Sequence, residues 1–578
     1  MSATPTPTPA QSIVQRAYVY IVALVTIHMV VLAVANLLRV LAEMGLGAPS
    51  GGFTGLPFAF AEFNRPRDLY REQASLAIAL LLVGAPAWWI HFRMAERAAR
   101  AVEETSSALR SLYVHAVVLV SALLVFGYGQ RALRLVLQGL TFGSPDQQAR
   151  GSFGLEPDWQ ARAAGAAAMA IAAAVVLAFH LRLSQGDRRT ATITGRAAEV
   201  RHLALYALVV VGLFYATFSA AGTLDGIWRR VADAFVTLPG IAVQPSPPPG
   251  VIVPPAPSRD DVLRFQLLGA IPAIVAGLVL WLGTWIPLQR GLRPARDADV
   301  ERRSLIRKLA IYLIVFVAAV VVLIAATTGL SLIVRRLLGD PIVEQYTSLW
   351  HELAAPVSSL IVFAPAWLFY RRVVEGEAAR ESEIVRAATI RRLYTYLISA
   401  IGLAMAAVGA AGLLGVVGSQ VLDLNTHDHG ETSAYIALIV VGGAAWAFHW
   451  RIARARLDED ERRSLPRRLY LYLAVLGGVL GLLVFGSAAL YRVLNAALAL
   501  SFVKETWHDV WHFAVDSTVA GTVAFRSFRA LRADRAVLGA AGEETYGVTV
   551  LVRATDRESA RARVTKALAG ETDISVKG

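Results

Sequence analysis

The chain has 578 residues, a formal net charge of +13, and 56% hydrophobic residues. A mean hydropathy of +0.52 excludes a string of soluble domains, and the absence of cysteine excludes disulfides, thiolate nucleophiles and sulfur-ligated metals. The positive charge fits the basic loops that anchor membrane proteins better than it fits nucleic-acid recognition.

A bilayer crossing needs about 20 mostly apolar residues in one helix. Residues 1–12 lack the basic stretch and cleavage site of a signal peptide and read as a disordered tail. Apolar segments follow at Tyr18–Leu41, Ala74–Phe92, Leu112–Leu137, Ala163–Leu181, Leu203–Val231 and Phe265–Leu288. They continue at Leu309–Leu338, Leu353–Tyr370, Leu393–Val416, Tyr435–Trp450 and Leu469–Leu494. A twelfth, Trp511–Phe528, is weaker because it carries Asp516. The expected fold is therefore an all-α polytopic membrane protein of about twelve transmembrane helices.

The connections after the even-numbered segments hold 29 Lys and Arg, against 16 on the other side. That asymmetry places these connections and both termini in the cytoplasm, in a multi-pass arrangement. The low-charge loops, including "QPSPPPGVIVPPAPS" from Gln244, fall on the opposite side.

The odd segments begin alike: "QRAYVY" from Gln15, "RSLYVH" from Arg110, "RHLALY" from Arg201, "RKLAIY" from Arg307, "RRLYTY" from Arg391 and "RRLYLY" from Arg467. Even segments end alike, as in "APAWWIHFR" at Arg93, "APAWLFYRR" at Arg372 and "GAAWAFHWR" at Arg451. "ERRSL" occurs twice, at Glu301 and Glu461. Such recurrence suggests one supersecondary unit reused, here six parallel-oriented helical-hairpin repeats within residues 13–530. Their approximate bounds are 13–100, 101–190, 191–295, 296–380, 381–458 and 459–530. Arg307, Tyr312, Arg467, Tyr472, Trp88, His91, Trp446 and His449 then read as interfacial structural anchors, with arginines snorkelling to headgroups and aromatic rings marking the boundary.

These helix ends resemble a bacterial membrane family catalogued as domain of unknown function 5671, over most of Gln15 to Arg529 and most clearly over Arg391 to Arg451. The resemblance implies an integral membrane protein and brings no activity, cofactor or functional residue with it.

Residues 531–578 change character. Alternation over Val548–Ala554 reads as a strand, Thr555 with Glu558 as a capping box opening a helix, and Ile574–Val576 as a second strand. This small α+β cytoplasmic appendage is too short for a robust core alone. It must dock on the membrane domain, dimerise or stay marginal, which leaves a homo-oligomer or a cytoplasmic protein partner open beside the lipid bilayer.

Asp423, His427 and His429, in the loop "DLNTHDHGE", form the most metal-like set, since imidazole and carboxylate suit a divalent ion; a solvated polar loop is the alternative. His28, Asn36, Gln130 and Asp225 are intramembrane polar candidates, with Asp225 placed to pair with Arg229. No hydrolase, nucleotide-binding or metalloprotease pattern occurs, and no catalytic residue or cofactor is assigned. The reading favours a non-enzymatic membrane scaffold or signalling component. The alternative is a transporter or channel for a small solute, with its site between the repeats.

Overall fold

The computed structural model describes residues 9–46, 66–143, 158–236, 258–290, 304–339, 348–378, 385–421 and 429–540, with isolated positions near residue 560. Among these residues all regular structure is helical. That is what a chain with long apolar segments must do, because lipid offers no partner for an open N–H or C=O. The long helices are α1 (Pro9–Gly45), α2 (Pro66–Ala98), α3 (Ala108–Phe142), α4 (Trp159–Thr190), α5 (Gly195–Phe235) and α6 (Arg259–Arg290). There follow α7 (Leu305–Leu337), α8 (Ala354–Ala378), α9 (Val385–Val421), α10 (His429–Ala455, with a π segment at Leu438–Gly442), α11 (Leu465–Leu498) and α12 (Lys504–Ala540). Eleven of them are long and apolar enough to cross a membrane; α12 is long but less apolar.

Each odd-numbered helix packs on the even helix that follows it, and each of those before α11 packs also on the next odd and next even helices. The result is a row of neighbouring hairpins. Close approach within a hairpin depends on small residues. A Cβ on Gly402 of α9 would lie 2.7 Å from the Gly442 carbonyl oxygen of α10, and one on Gly478 of α11 would lie 2.6 Å from that of Ala520. Helix α12 runs antiparallel along α11, tied by Arg467 to Asp534 at one end and by Arg492 to Asp509 at the other. It continues through residue 530 to Ala540, so Asp534 belongs to the helical body. The expected strands at 548–554 and 574–576 lie outside the described residues.

Three even helices are interrupted just before their aromatic ends: α2 by Pro86, α8 by Pro365 and α10 by its π segment. Proline removes a backbone donor, and a π turn displaces the regular hydrogen bond. The tryptophans that follow each donate to a tyrosine of the next hairpin, Trp88 to Tyr113, Trp367 to Tyr394 and Trp446 to Tyr470.

Candidate functional site: buried arginine locks and the cavities beside them

The first lock joins α1–α2 to α3–α4. Ser107 caps α3 by accepting from the Arg110 N–H (3.2 Å), which starts the helix with Arg110 facing inward. The Arg110 guanidinium binds Asp187 of α4 through two 2.8 Å bonds and Glu96 of α2 at 2.9 Å. The Tyr20 hydroxyl donates to Glu104 (2.9 Å), and Arg16 pairs with the same carboxylate at 2.6 Å. Tyr20, Glu104, Arg110 and Asp187 are all buried.

The last four helices build the same arrangement. The Tyr396 hydroxyl donates to Glu461 (2.8 Å), Arg392 pairs with that carboxylate (2.7 Å), and Arg467 holds Asp534 (2.7 Å) while donating to the Tyr396 oxygen (3.2 Å). Between them, Arg307 is wholly buried and donates to Tyr206 (2.5 Å), with Ser304 capping α7. Glu104, Glu301 and Glu461 each precede a serine by three positions and an arginine by six. Glu301 itself lies outside the described residues.

A second contact links successive hairpins. Trp88 of α2 donates to the Tyr113 oxygen of α3 (3.3 Å), and the Tyr113 hydroxyl donates to His180 Nε2 of α4 (3.1 Å). The proton positions follow from the carbonyls: His180 Nδ1 bonds the Val176 oxygen (2.9 Å), which can only accept, so Nε2 is the acceptor of the neutral ring. Trp367, Tyr394 and His449 repeat the series (3.2 and 3.4 Å), while Trp446 donates to Tyr470 (3.2 Å). At α6 and α8 the acceptor is Tyr370, reached by Trp281 at 2.7 Å. His91 takes its hydroxyl from Tyr18 of its own hairpin (3.3 Å).

The residues read from sequence as boundary anchors thus have definite partners. Arg307 and Arg467 sit inside the protein, not spread into a headgroup layer, because each finds a tyrosine of the preceding hairpin. Tyr312 is 8% exposed and lies against Tyr394, whereas Tyr472 is 46% exposed and accepts from Arg535 (2.6 Å). The cause is position: α9 covers Tyr312, and among the described residues no hairpin follows the α11–α12 pair.

Among the intramembrane candidates, Asn36 is buried and accepts from Arg39 (2.7 Å), which also reaches Glu43 (2.8 Å) and Gln73. Asp225 pairs with Arg229 at 3.1 Å. His28 bonds the Leu24 carbonyl (2.7 Å), and its Nε2 is buried without a partner among the described residues. Gln130 is half-buried in α3. Asp423 and His427 lie outside the described residues, and His429 opens α10. No cluster suited to a metal occurs among the described residues. Sequence reasoning singled out Glu461 only as part of the repeated "ERRSL", and missed Glu104, Asp187 and Asp534. It also missed His512, whose Nε2 meets Ser419 of α9 at 3.2 Å.

Two polar cavities adjoin the locks. One, of about 550 Å³, lies among α2, α3 and α4, lined by Arg93, Arg97, Arg100, Arg110 and Arg182 with Glu96 and Asp187. The other, of about 510 Å³, lies among α7–α10, where Tyr394 and His449 meet Arg371, Arg391, Arg392 and Arg456, with Glu375, Asp458 and Glu461.

Apolar helices of spanning length, joined by buried polar contacts near their arginine-bearing ends, define a multi-pass helical membrane protein. The chain belongs to the family described as Domain of unknown function (DUF5671), which matches residues 16–153, 250–345 and 392–525. No curated protein and no solved structure matches it.

Proposed function

We propose that the protein is a non-enzymatic membrane scaffold or signalling component of a bacterial inner membrane. In this reading six parallel hairpins, α12 completing the last, form three four-helix blocks, and both termini are cytoplasmic. The observation that carries it is the mutual commitment of the charged groups in the two buried locks. Tyr20, Glu104, Arg110 and Asp187 satisfy one another, as do Tyr396, Glu461, Arg467 and Asp534. A catalytic or transport site instead needs groups whose hydrogen bonds are left for a substrate. The equivalent positions of the two locks, and the three segments matched to the family, support the block repeat. The arginine asymmetry supports the orientation.

The natural absence of cysteine gives a direct test of orientation. In intact cells an impermeant maleimide should label Gly339→Cys and leave Arg188→Cys unlabelled; the reverse pattern would overturn the topology. For the scaffold role, native mass measurement of gently extracted protein should find an assembly larger than one chain. A lone chain that dissipates a solute gradient across vesicles would replace the scaffold with a transporter.

A further inference from the structure

We infer that the cavity among α2, α3 and α4 is a binding site for a phosphate-bearing anion. Five arginines and two carboxylates line it. Both carboxylates are spent on one of the five: Glu96 and Asp187 each pair with Arg110. Arg97, Arg100 and Arg182 make no side-chain hydrogen bond or ion pair to any described residue, and Arg93 only lies over the Trp89 ring, 4.4 Å from its centroid. Arg110 and its two carboxylates together carry one negative charge, so the four other guanidinium groups, from α2, the turn after it and α4, leave the concavity at +3, and none of the four is ion-paired to a described residue.

Solvated loop arginines would explain a basic surface, but they would not need a concave wall. The cavity among α7–α10 provides the contrast. There Arg371 is held by Glu375 (2.8 Å) and Arg392 by Glu461 (2.7 Å), and Asp458 adds a third carboxylate. Comparable space next to a comparable lock is close to neutral in one case and strongly positive in the other. Guanidinium forks match the spacing of phosphate oxygens and bind them bidentately, which favours phosphate over a simple halide. At roughly 550 Å³ the space suits a headgroup or a small phosphorylated solute. Arg110 is not part of the capture set, since it is held by its two carboxylates.

The test uses the full-length protein in phosphatidylcholine nanodiscs with or without phosphatidylglycerol, and inorganic phosphate as a separate probe. Native mass spectrometry should show retained phosphatidylglycerol in preference to phosphatidylcholine, or calorimetry should show phosphate binding. The first outcome assigns the site to a lipid headgroup and the second to a free phosphate. Either signal should fall about tenfold or more in the Arg93→Gln/Arg97→Gln/Arg182→Gln variant, because three charge-assisted contacts are lost. It should persist in the Arg371→Gln/Arg456→Gln variant of the other cavity. These arginines are exposed, so unfolding temperatures should stay near the parent's; if the triple variant is not stable, Arg97→Gln alone should show a partial loss. Equal binding by parent and cavity variants, no binding of either probe, or equal loss in the control variant would overturn the inference.

Discussion

The first four helices and the last four fold around the same lock and balance its charge in opposite ways. Both place a tyrosine–glutamate bond beside an arginine–aspartate pair: Tyr20–Glu104 with Arg110–Asp187, and Tyr396–Glu461 with Arg467–Asp534. In the first block the extra partner is a carboxylate, Glu96, on Arg110. In the last it is an arginine, Arg462, which reaches Asp534 at 2.7 Å. The inner four groups keep their geometry while the periphery changes sign. Burial explains why. An unpaired charge inside costs several kcal/mol, whereas a half-exposed neighbour is screened and contributes little. The invariant part is thus the part that cannot be solvated.

The largest effect should come from breaking this equivalence at its centre. Arg110→Gln leaves the buried Asp187 with no arginine among the described residues, and the expected loss is about 3–5 kcal/mol. Arg467→Gln leaves Asp534 paired with Arg462, so it should cost roughly half as much. Asp534→Asn should reverse that order within the last block, because it strands two arginines at once. Unfolding in detergent, followed by helix signal against temperature or denaturant, ranks the three variants. Equal losses for Arg110→Gln and Arg467→Gln would show that Arg462 does not compensate.

A smaller difference is expected at the contacts between hairpins. Tyr113 joins Trp88 to His180, but Tyr470 is given only Trp446, since the last block has no histidine at the matching position. Tyr113→Phe leaves a buried imidazole acceptor and an indole donor unpaired, at about 1–3 kcal/mol. Tyr470→Phe removes a single bond and should cost about 0.5–1.5 kcal/mol. A double-mutant cycle between Tyr113→Phe and His180→Ala should show coupling; additive losses would mean that the 3.1 Å contact contributes nothing.

The same two blocks show which features can be read from sequence. The eleven apolar spans were legible because the bilayer imposes length and composition on each helix separately. Within α9 the close approach to α10 is local too, with Gly402 set against Gly442 and Trp446. The recurring Arg and Tyr at the helix starts were visible too, but their partners were not. Asp187 and Asp534 lie on other helices, 77 and 67 residues from the arginines they bind. Glu104 hides in "EETSSALRSLY", where the paired arginines of "ERRSL" are missing and only the Glu, Ser and Arg spacing survives. Without knowing which hairpin follows which in space, a buried Arg307 and a lipid-facing arginine are indistinguishable in sequence. The His427 loop stays outside the described residues, so its ligand types are all that can be read there.

The smallest expected effect lies at the open end of the row. Tyr20, Tyr206 and Tyr396 stand five residues after the first residue of their helix-start patterns and are buried by the hairpin that follows. Tyr472 occupies the same place in α11 and is exposed, because among the described residues no further hairpin packs on it. Its bond from Arg535 is solvated on both sides, and exposed contacts of this kind contribute about 0–1 kcal/mol. Tyr472→Phe should therefore shift unfolding by less than about 0.5 kcal/mol, while Tyr396→Phe, which strips a donor from buried Glu461, should cost about 1.5–3 kcal/mol. Measuring both variants in detergent and in a bilayer sharpens the comparison. If Tyr472→Phe becomes as costly as Tyr396→Phe only in the bilayer, then α11 is covered there by something the single chain does not provide. A small effect in both media would mean that nothing covers this face of α11 and that it is turned to lipid.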